Sequence, residues 1–414
     1  MNITVQQIDE ALLRSEGVVL KTPLQFSKRM SEKFEAKVYI KREDLQEVRS
    51  FKIRGAYNKI SSLSESEKKQ GIVTASTGNH AQGVALSCAL LKIKGVIFMP
   101  VVTPNQKIEK VKYFGGRFIE IKLVGNTFDD AVEASQKYRD SHDVSYVHPF
   151  DDEETVIGQG TIGKEIFEQI GEDVDIVVSP VGGGGIVSGI AVYLKQKSPK
   201  IKVYGAEAEG AASMAKSLKE NKVVELGHMD TFVDGAAVNK VGKLTFEICK
   251  KYLEKVVIVP VGRVCKTMID LYQNEGIISE PAGALSIAAL SSLRDEIKGK
   301  TVVCVLSGGN NDFMRYPEIL EKSLVYQGLK HYFLIEFTQK PGQLRKFLDE
   351  ALGPTDDIVR FEYMKKTNKE KGAALVGIEL KDKEDFQPFL KRLQKIGMHY
   401  QILSEKEMLY EYII

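Results

Sequence analysis

The stretch DIVVSPVGGGGIVSGIAVYLKQ, residues 175–196, decides the fold. A short apolar run, Ile176–Pro180, breaks into four consecutive glycines, Gly182, Gly183, Gly184 and Gly185, and continues from Ile186 as an apolar helical pattern, Val187–Gln196. A buried strand that passes through a glycine turn into a helix is the building unit of a parallel α/β sheet. Glycine permits positive φ and close approach to a ligand, and a helix start offers unpaired N–H groups at the positive end of the dipole. Four glycines in a row carry a large backbone entropy cost, so a phosphate cradle is a better reading than a flexible turn. No Lys-Ser or Lys-Thr follows, which excludes a Walker A loop. G-x-G-x-x-G fails too, because Gly182 and Gly184 lead to Val187, and Gly183 and Gly185 to Ser188. A dinucleotide site stays open at this point: a strand near Val203–Ala206 ends in Glu207, about 20 residues past the glycines, where a ribose-binding acid would sit.

Outward from this unit the alternation repeats. Val38–Lys41, Gly71–Ala75, Val96–Pro100, Phe118–Ile121, Val203–Ala206, Val256–Val259 and Val302–Leu306 read as further buried strands, with helical stretches between most of them. The expected class is α/β, a parallel sheet with helices on its faces. Thr4-Val5-Gln6-Gln7 has the form of a capping box opening the first helix. The pattern changes near Glu321–Gly328. A strand (His331–Thr338) is followed by a helix opened by Pro341-Gly342, with Pro341 in its first turn, and by strands Ile358–Met364 and Ala373–Leu380. A second helix, starting near Asp385 so that it accommodates Pro388, and a strand at Tyr400–Leu403 complete β-α-β-β-α-β, a ferredoxin-like α+β motif. Two domains are expected: residues 1–325, with a smaller lobe at roughly 50–150, and residues 326–414.

The chain has 414 residues, 43% hydrophobic and 28% charged, with 58 basic against 56 acidic side chains and a net charge of +2. This is globular composition without the basic excess of a nucleic-acid binder or the basic tract of a lipid-surface protein. No apolar run approaches ~18 residues, and the N-terminus is amphipathic rather than a signal peptide, so neither membrane nor nucleic acid is an expected partner. Cys88, Cys249, Cys265 and Cys304 form no C-x-x-C pair and read as buried small hydrophobes in a reducing cytoplasm. The six histidines lack ligand spacing, and no metal site is assigned.

Three more segments carry chemistry. In Ser50-Phe51-Lys52-Ile53-Arg54-Gly55-Ala56 a lysine sits among apolar and small residues with Arg54 nearby; burial and a neighbouring cation lower an amine's pKa and suit it to Schiff-base chemistry. Taken alone, this lysine reads better as an ordinary surface residue, since the chain has many lysines. Ser76-Thr77-Gly78-Asn79-His80-Ala81-Gln82-Gly83 follows a strand and opens a helix at Asn79, offering hydroxyl and amide groups for a carboxylate or simply an N-cap. Leu306-Ser307-Gly308-Gly309-Asn310 lies at a strand end, where open parallel sheets collect ligands.

Together, S-F-K-I-R-G-A, S-T-G-N-H-A-Q-G, P-V-G-G-G-G-I and L-S-G-G-N, in this order over about residues 5–320, resemble the fold type II pyridoxal-phosphate enzymes, and among them the threonine dehydratases. The C-terminal module, with Phe337-Thr338-Gln339-Lys340-Pro341-Gly342 as its opening turn, resembles their single ACT-like regulatory domain. The resemblance implies a two-lobed catalytic domain holding pyridoxal 5'-phosphate. Lys52 would bind the cofactor covalently, Asn79 its 3-hydroxyl, and Gly182, Gly183, Gly184, Gly185 and Ile186 its phosphate. Ser307 would face the pyridine nitrogen and Phe51 pack beside the ring, while Ser76, Thr77, Gly78 and Asn79 hold the substrate carboxylate. Pro149-Phe150-Asp151-Asp152 also resembles the family and would lie near the cleft, without an assigned role. The implied reaction takes L-threonine to 2-oxobutanoate and ammonia in isoleucine biosynthesis, with Lys52 as the base. Isoleucine is the implied feedback effector, opposed by valine, and a homotetramer the implied assembly. Serine racemases resemble the sequence but usually carry a serine where Thr77 stands, which speaks against efficient racemisation. Many relatives bind a divalent cation at an acidic pair; here Glu207 is present and Ser213 stands in place of the second acid, so none is assigned. A nicotinamide oxidoreductase, an amino-acid sensor with a vestigial catalytic domain and a serine-directed lyase are the rival readings.

Overall fold

Strands buried on both faces set the frame. Ile72–Ala75, Gly95–Met99 and Ile176–Pro180 are buried at every residue, as strands covered by helices above and below must be. The computed structural model describes residues 3–364, 370–404 and 410. The chain divides into two units, Met1–Asn311 and Asp312–Ile414.

The strands of the first unit are β1 (Leu24–Phe26), β2 (Lys37–Arg42), β3 (Ile72–Ala75), β4 (Gly95–Met99), β5 (Ile119–Leu123), β6 (Ser145–Tyr146), β7 (Ile176–Pro180), β8 (Lys202–Ala208), β9 (Lys255–Val259) and β10 (Thr301–Leu306). They form two sheets. The larger has the order β1-β2-β10-β7-β8-β9 and is parallel except for β1, which pairs antiparallel with β2. The smaller, β5-β4-β3-β6, is parallel throughout and belongs to a lobe of its own. Each expected strand of this unit is present with ends moved by no more than two residues, whereas β1 and β6 are additions. The larger lobe packs Val177, Val187, Ile190, Val203 and Val303 in its core; the smaller packs Ile72, Ala81, Val84, Ile97 and Met99. Thr4 and Gln7 form the expected capping box on helix Val5–Arg14. All four cysteines are buried, and none forms a disulfide among the described residues.

The second unit runs β11 (Lys330–Thr338), helix Gln343–Glu350, β12 (Asp357–Tyr363), β13 (Lys371–Glu379), helix Phe386–Lys395 and β14 (His399–Ile402). The sheet is antiparallel in the order β12-β13-β11-β14, the ferredoxin-like arrangement. Phe333, Ile335, Phe347, Val376, Ile378, Phe389 and Leu393 fill its core. Pro388 lies in the first turn of its helix as expected. Pro341 does not: Gly342 is the N-cap at φ +88°, a left-handed conformation that cannot continue a helix, so the helix begins at Gln343 and Pro341 stays in the turn. The expected boundary at 325/326 falls within this unit. Helix Tyr316–Tyr326 belongs to it because Glu321 accepts from Tyr332 Oη at 2.9 Å and Val325 packs against the cluster of Tyr332, Leu403 and Tyr410. Among the described residues, no helix is long and apolar enough to cross a membrane.

Candidate active site

Three of the four motifs follow the carboxyl ends of β3, β7 and β10, where the strands of parallel sheets present their loops to a cleft. Lys52 is the first residue of helix Lys52–Ser61, with Phe51 as N-cap. The Phe51 N–H donates to the Ser307 carbonyl at 3.0 Å and Ser50 bridges Gly308, which sets the lysine segment beside the end of β10. Asn79 opens helix Asn79–Leu91, and its Oδ1 accepts from Asn310 Nδ2 at 2.7 Å. Gly83 on that helix lets it cross the lysine helix closely: a Cβ there would stand 3.1 Å from the Lys52 carbonyl. The Lys52 amine donates to the Pro149 carbonyl at 3.0 Å, and the next residue, Phe150, lies with its ring against Gly183 and its backbone and Cβ against Gly185. One cleft thus joins the lysine, Asn79, Ser307 and the glycine loop.

The segment Pro149-Phe150-Asp151-Asp152, without a role from sequence, organises one wall. Besides the Pro149 and Phe150 contacts, Asp151 caps helix Lys243–Tyr252, accepting from the N–H groups of Lys243 and Leu244 at 3.0 and 2.9 Å. Asp152 caps helix Glu153–Ile170 and pairs with Lys59 at 2.7 Å.

Helix Gly185–Lys197 begins inside the glycine run, so its first N–H groups have no intrahelical acceptor. Gly184 is the N-cap at φ +92°, and a Cβ on Gly183 would overlap the Phe150 ring; side chains are excluded at both positions. Ser76 Oγ accepts from the Gly78 and Ala81 N–H groups at 3.3 Å each, so it caps the Asn79 helix. Ser76, Thr77, Gly78 and Asn79 are each half-buried along one edge of the cleft.

Lys52 is half-buried as a side chain, but its amine is enclosed. Burial pushes its pKa down to about 8, and the charge of Glu280 opposes the fall. The expectation that Arg54 depresses this lysine is corrected. The Arg54 guanidinium turns away into a fully buried cluster, bonding Glu43 at 2.8 Å and Glu165 at 2.7 Å, while Lys41 also binds Glu165 at 2.6 Å. Two cations balance two carboxylates beneath the lysine helix. Burial and then Lys52 push the His80 pKa down to about 3, and its Nε2 lies 2.9 Å from the Val147 carbonyl. Glu207 does not face a ribose. Its two oxygens accept the N–H groups of Met214 and Ala215 at 2.8 Å each, at the start of helix Ser213–Glu220. Among the described residues, no group of three His, Cys, Asp or Glu side chains is placed to hold a metal ion.

Glu280 is the residue that sequence reading missed. It is buried, donates its N–H to Gly308 at 3.2 Å, and accepts from Asn79 Nδ2 at 2.7 Å. The signal was present: a lone carboxylate within Ile277-Ile278-Ser279-Glu280-Pro281-Ala282-Gly283-Ala284-Leu285, an otherwise small or apolar run.

Residues 16–308 match the family model described as pyridoxal-phosphate dependent enzyme. The chain belongs to the pyridoxal-phosphate-dependent enzymes. Residues 321–413 match the model of the C-terminal regulatory domain of threonine dehydratase. Within this family, the chain is 51% identical to the biosynthetic L-threonine dehydratase of Halalkalibacterium halodurans over 411 residues, 99% of each chain. It is 49% identical to that of Bacillus subtilis, over 100% of this chain and 98% of the relative. Among solved structures it is similar to the processed form of threonine deaminase isoform 2 from Solanum lycopersicum, at 38% identity and a TM-score of 0.73, covering 78% of this chain and 95% of that one. Maize serine racemase follows at 30% identity and a TM-score of 0.72, covering 79% and 99%. A pyridoxal-phosphate enzyme needs an anion cradle and a lysine whose amine is readily deprotonated. The side-chain-free loop at a helix start and the enclosed Lys52 amine fit both needs.

Proposed function

We propose that the chain converts L-threonine to 2-oxobutanoate and ammonia, as a pyridoxal-phosphate-dependent threonine dehydratase of isoleucine biosynthesis. The observation that carries the reading is the Lys52 amine enclosed on the Pro149 carbonyl, in one site with Asn79, Ser307 and the glycine loop. Gly182–Ile186 receive the cofactor phosphate on N–H groups at the start of helix Gly185–Lys197. Asn79 donates to the 3-hydroxyl oxygen, Phe51 packs beside the ring, and Ser307 offers a neutral hydroxyl to the pyridine nitrogen. Ser76, Thr77, Gly78 and Asn79 bind the substrate carboxylate. When bound, the cofactor supplies the sink for negative charge developing at the substrate Cα. Lys52 Nζ, freed from the cofactor when the substrate amine takes its place, removes the Cα proton; the enclosure that lowers the pKa of the bare amine favours its neutral form. The β-hydroxyl departs as water, its added proton balancing the one that Lys52 took from Cα, and hydrolysis of the released enamine yields the 2-oxoacid and ammonia.

The second unit is the regulatory module of this reading. Isoleucine is its feedback inhibitor, opposed by valine, and the Lys340-Pro341-Gly342 turn before helix Gln343–Glu350 is the place for an amino-acid carboxylate. A cytoplasmic homotetramer is the expected assembly, checked by light scattering. The experiment for the reaction itself is one cuvette: cofactor absorbance of the purified protein before and after L-threonine, with 2-oxobutanoate measured alongside. Prompt 2-oxobutanoate with a spectral change supports the reading. A dependence on nicotinamide cofactor, or pyruvate from L-serine formed with a far higher kcat/KM, contradicts it.

A further inference from the structure

Glu280 has no part in the chemistry above, yet it sits at the junction of three motifs. It is the N-cap of helix Pro281–Ala288, and its N–H donates to the Gly308 carbonyl, next to Ser307. A Cβ on Gly308 would overlap its Oε1, so the glycine admits the carboxylate to this position. A carboxylate taken from water into such a place is costly unless its hydrogen bonds are replaced. The replacements are Asn79 Nδ2, at 2.7 Å, and the backbone N–H of Asn310.

These bonds continue into a chain with a direction. Asn310 Nδ2 donates to the Val48 carbonyl at 2.8 Å and to Asn79 Oδ1 at 2.7 Å, with a longer bond of 3.4 Å to Gln82 Oε1. Asn79 Nδ2 then donates to Glu280. A side-chain amide can turn over by half a rotation with little change of shape, exchanging donor for acceptor. Here both ends of the chain accept: a backbone carbonyl at Val48 and, when ionised, a carboxylate at Glu280. Turning Asn79 over would set its oxygen against the carboxylate and its NH2 against the NH2 of Asn310, losing both bonds at once. Asn79 is therefore held in one orientation, and one of its two N–H bonds is left for a ligand.

We infer that Glu280 is a positioning residue for the cofactor: it locks the Asn79 amide so that the remaining N–H is offered to the cofactor's ring oxygen. The inference rests on the assignment of Asn79 as a cofactor contact. The lock is strict only with the carboxylate, because the neutral acid can donate as well as accept. Burial and then Asp234 push Glu280 up to about 7, so it engages as pH rises through neutrality. The charged groups that bear on it are Lys52, Asp234 and Lys107, the last two paired at 3.1 Å; His80 and His148 face Lys52 in turn. Glu280→Gln keeps the shape but removes the charge and the direction, since an amide can donate as well as accept.

The test separates Asn79 from Lys52 by using 4'-deoxypyridoxine 5'-phosphate, which keeps the ring oxygen and phosphate but has no aldehyde to react with a lysine. Its Kd for the full-length apoenzyme is measured for wild type, N79A, E280Q and N79A/E280Q, with folding checked by circular dichroism. N79A should weaken binding about tenfold, or ~1.4 kcal/mol, the size of one hydrogen bond to a charged group. E280Q should weaken it about fivefold or more, and the double variant should bind no worse than N79A, because Glu280 acts through Asn79. A merely structural carboxylate would give losses that multiply. Wild-type affinity should also rise between pH 6 and pH 8 more steeply than that of E280Q; the ligand phosphate titrates near 6 in both proteins and cancels. Wild-type affinity in E280Q, multiplying losses or equal pH slopes overturn the inference while leaving Asn79 as a cofactor contact. Unchanged affinity in N79A overturns both. If E280Q does not fold, Asn310→Ala cuts the same chain at its other side and is read in the same cycle with N79A, with the same outcomes deciding.

Discussion

Arg54→Met would remove one cation from the buried cluster beneath the lysine helix. The wild-type guanidinium makes bonds of 2.8 Å from Nε and Nη2 to Glu43, 2.7 and 3.0 Å to Glu165, and 3.1 Å to Thr161. Methionine fills much of the volume but leaves Lys41 as the one cation of the cluster against Glu43 and Glu165, all of them inaccessible to solvent. Breaking a buried pair from one side costs about 3–5 kcal/mol, because the stranded charge keeps its desolvation penalty. The sign of the pH dependence follows from Glu43. Burial pushes its pKa up, but Arg54 and Lys41 pull it down further, so in the wild type it lies below 4.5 and its stabilisation is lost only as pH falls through that lowered value. Without Arg54 the burial effect dominates and the pKa rises; protonation then relieves the variant as pH falls. The stability gap between wild type and R54M, from urea unfolding followed by circular dichroism, should be larger at pH 8 than at pH 5. Adding Glu43→Gln should recover part of it. A gap under about 1 kcal/mol at pH 8, or one that widens at pH 5, would refute this account of the cluster.

In the cofactor-free enzyme the Lys52 amine should capture pyridoxal 5'-phosphate faster as pH rises towards about 8, because only the neutral amine attacks the aldehyde; a capture rate flat from pH 6 to pH 9 contradicts the lowered amine. Ser307→Asp should retain cofactor yet lose dehydratase turnover, because a carboxylate favours a protonated ring nitrogen and over-stabilises the carbanionic state; wild-type turnover in this variant means that Ser307 does not face the nitrogen. A chain ending at Asn311, where the first unit closes, should still convert threonine per bound cofactor but ignore isoleucine. Inhibition with an unchanged midpoint would place the effector site in the first unit.

Much of this fold is local in origin and was legible for that reason. Strands such as Ile176–Pro180 are apolar runs bounded by breakers, and the helix at Asn79 begins where a strand and a Ser-Thr-Gly turn end. What the sequence does not display is pairing across long separations. β1 has three residues and is a strand through its pairing with β2; β6 has two and leans on β3. Neither has the length for a periodic signal. In the site, Lys52, Asn79, Ser307 and the glycines announce themselves by motif. Arg54 was misread because side-chain direction depends on partners far along the chain, here Glu43 and Glu165. Glu280 was missed because its partner, Asn79, precedes it by 201 residues. Pro341 was placed in a helix that a left-handed Gly342 delays.

Lys52 is the lysine that should hold the cofactor. Borohydride reduction of the holoenzyme fixes the cofactor to its amine, and tryptic mapping then locates it. Trypsin cuts after Arg49 and Arg54, and a blocked Lys52 removes the cut between them, so the label should appear on the single peptide covering residues 50–54. A pyridoxyl group on that peptide, with Lys52→Ala showing none, is the predicted result. A label on any other lysine contradicts the assignment of the site.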